Sequence, residues 1–226
     1  MWSRPRKPSA IAEAHVYDGA RDRDLVRLYW PVELRPAFDA LFALDDALAD
    51  VVARSNEPML GAIKLAWWRE SLEKLDHEPP PQEPRLEAVA NELLPRGISG
   101  ADLASLEEAW TLLLVTSDQE AVARGMALRG PRLFELAARL LGVTQDELGD
   151  AAQCFAAADL GRRHIVELAP LKLGRSIVRA PRKARPLTML GALARRDMRS
   201  GGPPFEPEGT PGRAWTLLRH RLTGRL

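Results

Sequence analysis

Asp45, Asp46 and Asp50 are the residues whose type and spacing could do chemistry. Asp46 and Asp50 stand four apart in a stretch of helical periodicity, so their carboxylates project from one face, one turn apart. Two carboxylates so placed can hold a hard divalent cation such as Mg²⁺, with waters and a substrate phosphate completing the shell. The same spacing also suits a solvated helix face, where Asp50 pairs with Arg54 one turn on. Other chemistries lack residues. There is no glycine-rich phosphate loop and no Gly-x-Ser-x-Gly. His15, His77, His164 and His220 are far apart, and no two of them stand at metal-ligand spacing. Cys154 is the single cysteine, which excludes an intramolecular disulfide and a Cys-rich zinc site. Alanines and Phe155 surround it, so it reads as a buried, inert thiol.

The elements that must position the aspartates are helical. Residues 34–75 read as two helices joined by a short turn. Leu34, Ala37, Phe38, Leu41, Leu48, Val51 and Val52 give the first a buried stripe. Pro31 is expected at its first position and Arg54 near its end. Ser55 or Asn56 is the expected cap of the second helix. Leu60, Ile63, Trp67, Trp68, Leu72 and Leu75 are expected to form its core face, with the tryptophan pair as anchors. Pro79, Pro80, Pro81 and Pro84 mark a loop, and a helix over 85–94 follows. Ser99 with Asp102 resembles a capping box for a helix faced by Leu103, Leu106, Trp110, Leu113 and Leu114. Asp118 is the expected cap of a long helix that Gly142 stops. Thr144 with Glu147 predicts a cap for a helix to about residue 160. Its Asp146 and Asp150 are also four apart, but they sit at the positive end of the helix dipole and read as structural.

After Gly161 the chain turns basic. Residues 187–198 read as a short basic helix. A proline-rich loop follows over 201–211, then an amphipathic helix over 214–222 with Trp215, Leu218 and Leu222 on one side. No alternating Val, Ile or Thr run and no Asn-Gly turn appears. The fold expected is all-α with one core, a domain over 11–226 behind a disordered basic leader at 1–10.

The 226 residues are 46% apolar and 28% charged, an ordinary globular balance. The net charge of +1 hides an asymmetry. From Arg162 onward there are 15 Lys plus Arg against 4 Asp plus Glu, a net of +11, which leaves −10 in the residues before it. Such a split suits an anionic partner, or two halves that pack and compensate each other. Few aromatics accompany the basic residues, so nucleic acid is not the expected partner. An anionic membrane surface or a membrane protein complex is. No apolar run is long enough to span a bilayer, and the basic N-terminus has no apolar segment of a secretory signal. The expected location is the cytoplasm, with peripheral contact to the inner membrane face.

Three stretches carry a family likeness: Arg23-Asp24-Leu25-Val26-Arg27-Leu28-Tyr29-Trp30-Pro31, Ala40-Leu41-Phe42-Ala43-Leu44, and Glu57-Pro58-Met59-Leu60-Gly61-Ala62-Ile63-Lys64-Leu65-Ala66-Trp67-Trp68-Arg69-Glu70. Together they resemble the squalene/phytoene synthase family, and most of all its divergent branch, which includes the mitochondrial complex I assembly factor with this domain. The likeness is specific over 18–75, fainter over 103–142, and returns over 213–226. It implies an isoprenoid-synthase-like bundle, shortened here on the C-terminal side. Family enzymes join two prenyl diphosphates head to head with Mg²⁺ held by two Asp-x-x-x-Asp motifs. Asp46 and Asp50 match the first. Near the expected second motif stands only Asp159, with Arg163 four residues on, where a carboxylate belongs. The resemblance also nominates Arg54, Trp67, Arg69 and Asp159 as substrate contacts. With half the second motif missing, the expectation is a degenerate member that binds a prenyl or lipid ligand or assists assembly of a respiratory membrane complex. The alternative is a working transferase with Mg²⁺ on Asp46 and Asp50.

Overall fold

Leucines and alanines at three- and four-residue spacing make the second helix the hub of the bundle. In the computed structural model, which describes residues 20–114, 118–148, 150–166, 179–201 and 203–225, α1 spans Ala20–Arg27 and α2 spans Arg35–Arg54. A 3₁₀ turn at Val32–Leu34 separates them. The chain therefore enters α2 later than expected: Pro31 precedes the 3₁₀ turn, and Pro36 takes the first-turn place where a missing N–H costs nothing. Phe38, Leu41, Leu44 and Leu48 are buried, and α2 packs on α3 (Pro58–Lys74), α4 (Pro84–Glu92), α6 (Leu106–Leu114) and α7 (Gln119–Leu141). Between α4 and α6, Ser99 and Asp102 form the expected capping box at the start of α5 (Gly100–Ala104).

The second half stacks in sequence. Helix α8 (Ala151–Arg162) lies between α7 and α9 (Arg185–Arg199), and α9 carries α10 (Pro211–Thr223) and α1. Small residues make this close stacking possible. Ala151, Ala152, Ala156, Ala157 and Ala158 are buried on α8, opposite Gly130 of α7 and Gly191 of α9. A chain of rings runs through the core from Trp30 by Phe38, Phe42 and Phe155 to Phe134, with centroid separations of 4.7, 4.5, 6.1 and 5.4 Å. Among the described residues there is no strand, only a single bridge between Arg179 and Arg225. The fold is an all-α bundle. No helix among the described residues is long and apolar enough to cross a membrane.

Several local expectations change. Glu57, not Ser55 or Asn56, precedes α3, and the Ser55 hydroxyl donates to the Glu57 carbonyl. Only half of the expected α3 core face is inside. Trp68, Leu72 and Leu75 are buried, together with Leu65, which the expected face left out, whereas Leu60, Ile63 and Trp67 face solvent, Trp67 being 46% exposed. Glu147 accepts from the Thr144 N–H as expected, but it closes a 3₁₀ turn, and α8 begins only after Asp150. The short basic helix expected over 187–198 is α9, and Arg195 and Asp197 are buried within it. Asp118 and Gly142 bound α7 as expected, Gly142 with a φ of 61°. The expected basic leader at 1–10 lies outside the described residues.

Candidate functional site

Asp45 sits on the buried stripe of α2, between Leu41 and Leu48 at helical spacing, and periodicity carries it inside. Arg129 does the same on α7, between Gly125 and Leu133. The two meet in the core. Arg129 Nη2 donates to Asp45 Oδ2 at 2.6 Å and to Asp159 Oδ2 of α8 at 2.5 Å. Trp110 Nε1 donates to Asp45 Oδ1 at 3.0 Å, and its ring lies 4.4 Å from the Arg129 guanidinium carbon. Burial opposes the charge on Arg129, but Asp45 and Asp159 outweigh it and raise its pKa above the ordinary arginine value.

Asp46 leaves α2 one residue later and points to the edge of this cluster. Its Oδ2 accepts from Arg23 Nη2 of α1 at 2.6 Å, and its Oδ1 accepts from Arg163 Nη2 at 2.5 Å. Arg163 Nε also donates to Asp159 Oδ2 at 2.9 Å. Asp45, Asp46 and Asp159 are thus joined through Arg129 and Arg163 into one ionic cluster that spans α1, α2, α7 and α8.

The other candidate residues lie apart. Asp50 is turned outward and pairs with exposed Arg54 at 3.3 Å. Trp67 and Arg69 are on the solvent side of α3, where Trp67 meets Trp68 edge-on at 5.3 Å. The structure brings Asp46 and Asp159 together and leaves Asp50, Arg54, Trp67 and Arg69 outside the cluster. Sequence reasoning passed over Arg129, Arg23 and the central place of Asp45. Charged residues falling on an apolar stripe were the signal for Asp45 and Arg129.

A second ionic cluster backs the first. Arg213 of α10 donates through Nε to Asp22 Oδ2 of α1 at 2.6 Å and through Nη1 to Asp197 of α9. Arg162 of α8 donates to both oxygens of Asp197, at 3.0 and 2.8 Å. Burial and the nearby charge of Asp22 push the Glu208 carboxyl up to about 7. Between the clusters lies a cavity of about 30 Å³ bordered by Arg23, Phe155, Asp159, Leu190, Asp197 and Arg213. It has room for a water or two; a prenyl chain needs a pocket roughly ten times larger.

The donor set does not fit a Mg²⁺–diphosphate centre in this arrangement. Both Asp46 oxygens accept from guanidinium groups, Asp50 is paired elsewhere, and position 163 places a cation where a carboxylate ligand is needed. Among the described residues, no three His, Cys, Asp or Glu side chains gather closely enough to hold a metal ion. Cys154 is buried, and desolvation and the charge of Asp150 push its thiol up to about 11, which removes it as a nucleophile.

Compared with models of known protein families, with curated proteins and with solved structures, the chain finds no match.

Proposed function

We propose that this chain is a non-catalytic protein of the squalene/phytoene synthase type, a helical bundle that does not condense prenyl diphosphates. The observation that carries this reading is the Arg163 guanidinium between Asp46 and Asp159. Ionising an allylic diphosphate leaves a highly charged leaving group, which clustered metal ions must face from both sides. Here arginine stands between the carboxylates that would supply those ligands. The work left to such a bundle is to hold a prenyl or other lipid ligand, or to assist assembly of a membrane complex such as a respiratory one.

The test is diphosphate release from farnesyl and geranylgeranyl diphosphates with Mg²⁺, wild type beside Asp46→Ala/Asp50→Ala. No release from the folded wild type is expected. Release that disappears in the double variant would overturn the proposal and establish a transferase with a rebuilt metal site.

A further inference from the structure

The outer ridge of α10 is apolar and its flanks are basic. Trp215, Leu218 and Leu222 recur at three- and four-residue spacing, on the side of the helix opposite buried Arg213, Leu217 and His220. Trp215 is 64% exposed and Leu222 is 70% exposed. At about 100° per residue, Arg219 and Arg221 fall on opposite flanks of this ridge. Each flank opens on a groove. One, of about 330 Å³, is bordered by Trp215, Arg196, Arg199, Arg219 and Arg225. The other, of about 410 Å³, is bordered by Leu222, Tyr29, Arg182, Arg185 and Arg221.

The charge around the ridge is of one sign. Arg182, Lys183, Arg199, Arg219, Arg221 and Arg225 are exposed, and no Asp or Glu is exposed among the described residues of 179–225. The acids of this region are held by other contacts: Asp197 is buried against Arg162 and Arg213, Glu206 accepts from Arg196, and Glu208 accepts from the Asp22 N–H.

We infer that α10 docks the protein in the plane of an anionic bilayer. Trp215, Leu218 and Leu222 enter the boundary between headgroups and acyl chains, and the exposed arginines of the two grooves, Arg182, Arg199, Arg219, Arg221 and Arg225, meet lipid phosphates. A helix with an apolar ridge, a tryptophan at the interface and arginines on both flanks has the form of an interfacial helix. A basic surface for nucleic acid would have no use for the exposed leucines between its arginines. Neither groove contains a residue of the Asp46 cluster, so the inference holds whether or not the bundle is catalytic.

Vesicle flotation of the full chain tests it. Vesicles of phosphatidylcholine alone are compared with vesicles that also carry phosphatidylglycerol. The protein is expected to float with the anionic vesicles only, and to be released by salt at about 0.5 M, where the Debye length falls to a few ångströms. Trp215→Ser/Leu218→Ser/Leu222→Ser should abolish flotation with an unchanged melting temperature, because all three side chains are exposed. Arg182→Gln, Arg199→Gln and Arg219→Gln should each weaken partitioning about fivefold. A folded wild type that stays in solution with anionic vesicles overturns the inference. So does flotation that survives the triple serine variant, equal flotation on both vesicles, or retention on duplex DNA in place of vesicles.

Discussion

Arg163 Nη2 reaches Asp46 Oδ1 at 2.5 Å across 117 residues of chain. The contact ties α2 to the end of α8, and the same guanidinium also holds Asp159. Arg163→Ala would leave Asp46 and buried Asp159 close together with one counter-charge fewer. We expect a loss of about 2–3 kcal/mol in urea unfolding, because a carboxylate stripped of its partner keeps its desolvation cost. Mg²⁺ at millimolar concentration should leave the wild-type melting temperature unchanged, since only an ion that binds the folded state raises it. A rise that Asp46→Ala removes would show a cation site that the arginines do not block.

Arg129 is fully buried and serves two carboxylates, with the Trp110 ring against its guanidinium. Arg129→Ala should cost about 3–5 kcal/mol. Arg129→Lys should recover only part of that, because a point-like ammonium cannot reproduce the planar contacts to Asp45, Asp159 and the indole. Trp110→Phe keeps an aromatic face but removes the N–H to Asp45 and part of the buried indole, a loss of about 2 kcal/mol. Chemical denaturation of the three variants gives the order directly, and equal losses for lysine and alanine would show that shape, not charge, is what the site requires.

The all-α fold was legible because its signals are local. The Ser99–Asp102 box, the Asp118 cap and the Gly142 stop each act within a few residues. Which way an apolar face points was less legible, because facing is decided by the neighbours. Trp67 and Trp68 differ by one residue, and α5 and α6 pack on the Trp68 side of α3 while Trp67 stays outside. On α10 the sequence puts Trp215, Leu218 and Leu222 on one side, and it is the other side, with Leu217, Arg213 and His220, that goes inside. The two polar side chains can do so because both find partners. Arg213 meets Asp22 and Asp197, and His220 lies 2.9 Å from the Thr188 hydroxyl and 2.8 Å from the Arg225 carbonyl. The charge split was legible as a number. The two halves do pack and compensate in part: Asp22–Arg213, Asp46–Arg163 and Asp150–Arg195 join them, while the outer face of α10 keeps a basic surplus.

Glycine sets how close α7, α8 and α9 come. A Cβ placed on Gly130 would stand 2.2 Å from the Ala152 carbonyl oxygen, and one on Gly191 would stand 2.6 Å from Ala151 Cα. Both obstacles are backbone, so no rotamer change relieves them. Gly130→Ala and Gly191→Ala should each destabilise by about 1–3 kcal/mol despite the better helix propensity of alanine. Thermal unfolding measures it. A variant that matched or exceeded the wild type would mean that the helices separate at little cost.

Glu208 faces Asp22, Arg162 and Arg213, and its carboxyl is pushed up from 4.5 to about 7, first by burial and then by Asp22. The folded state therefore holds a proton that the unfolded state releases between those two values. Stability contributed here falls as pH rises from about 4.5 to about 7, and the full cost stands above 7. The partial exposure of Glu208 reduces that cost to about 1 kcal/mol. Glu208→Gln keeps an oxygen to accept the Asp22 N–H, now 3.2 Å from Glu208 Oε2, and carries no charge at any pH. Its melting temperature should exceed that of the wild type at about pH 8 and match it at about pH 4.5. A constant difference between the two proteins across that range would mean that Glu208 does not titrate within it.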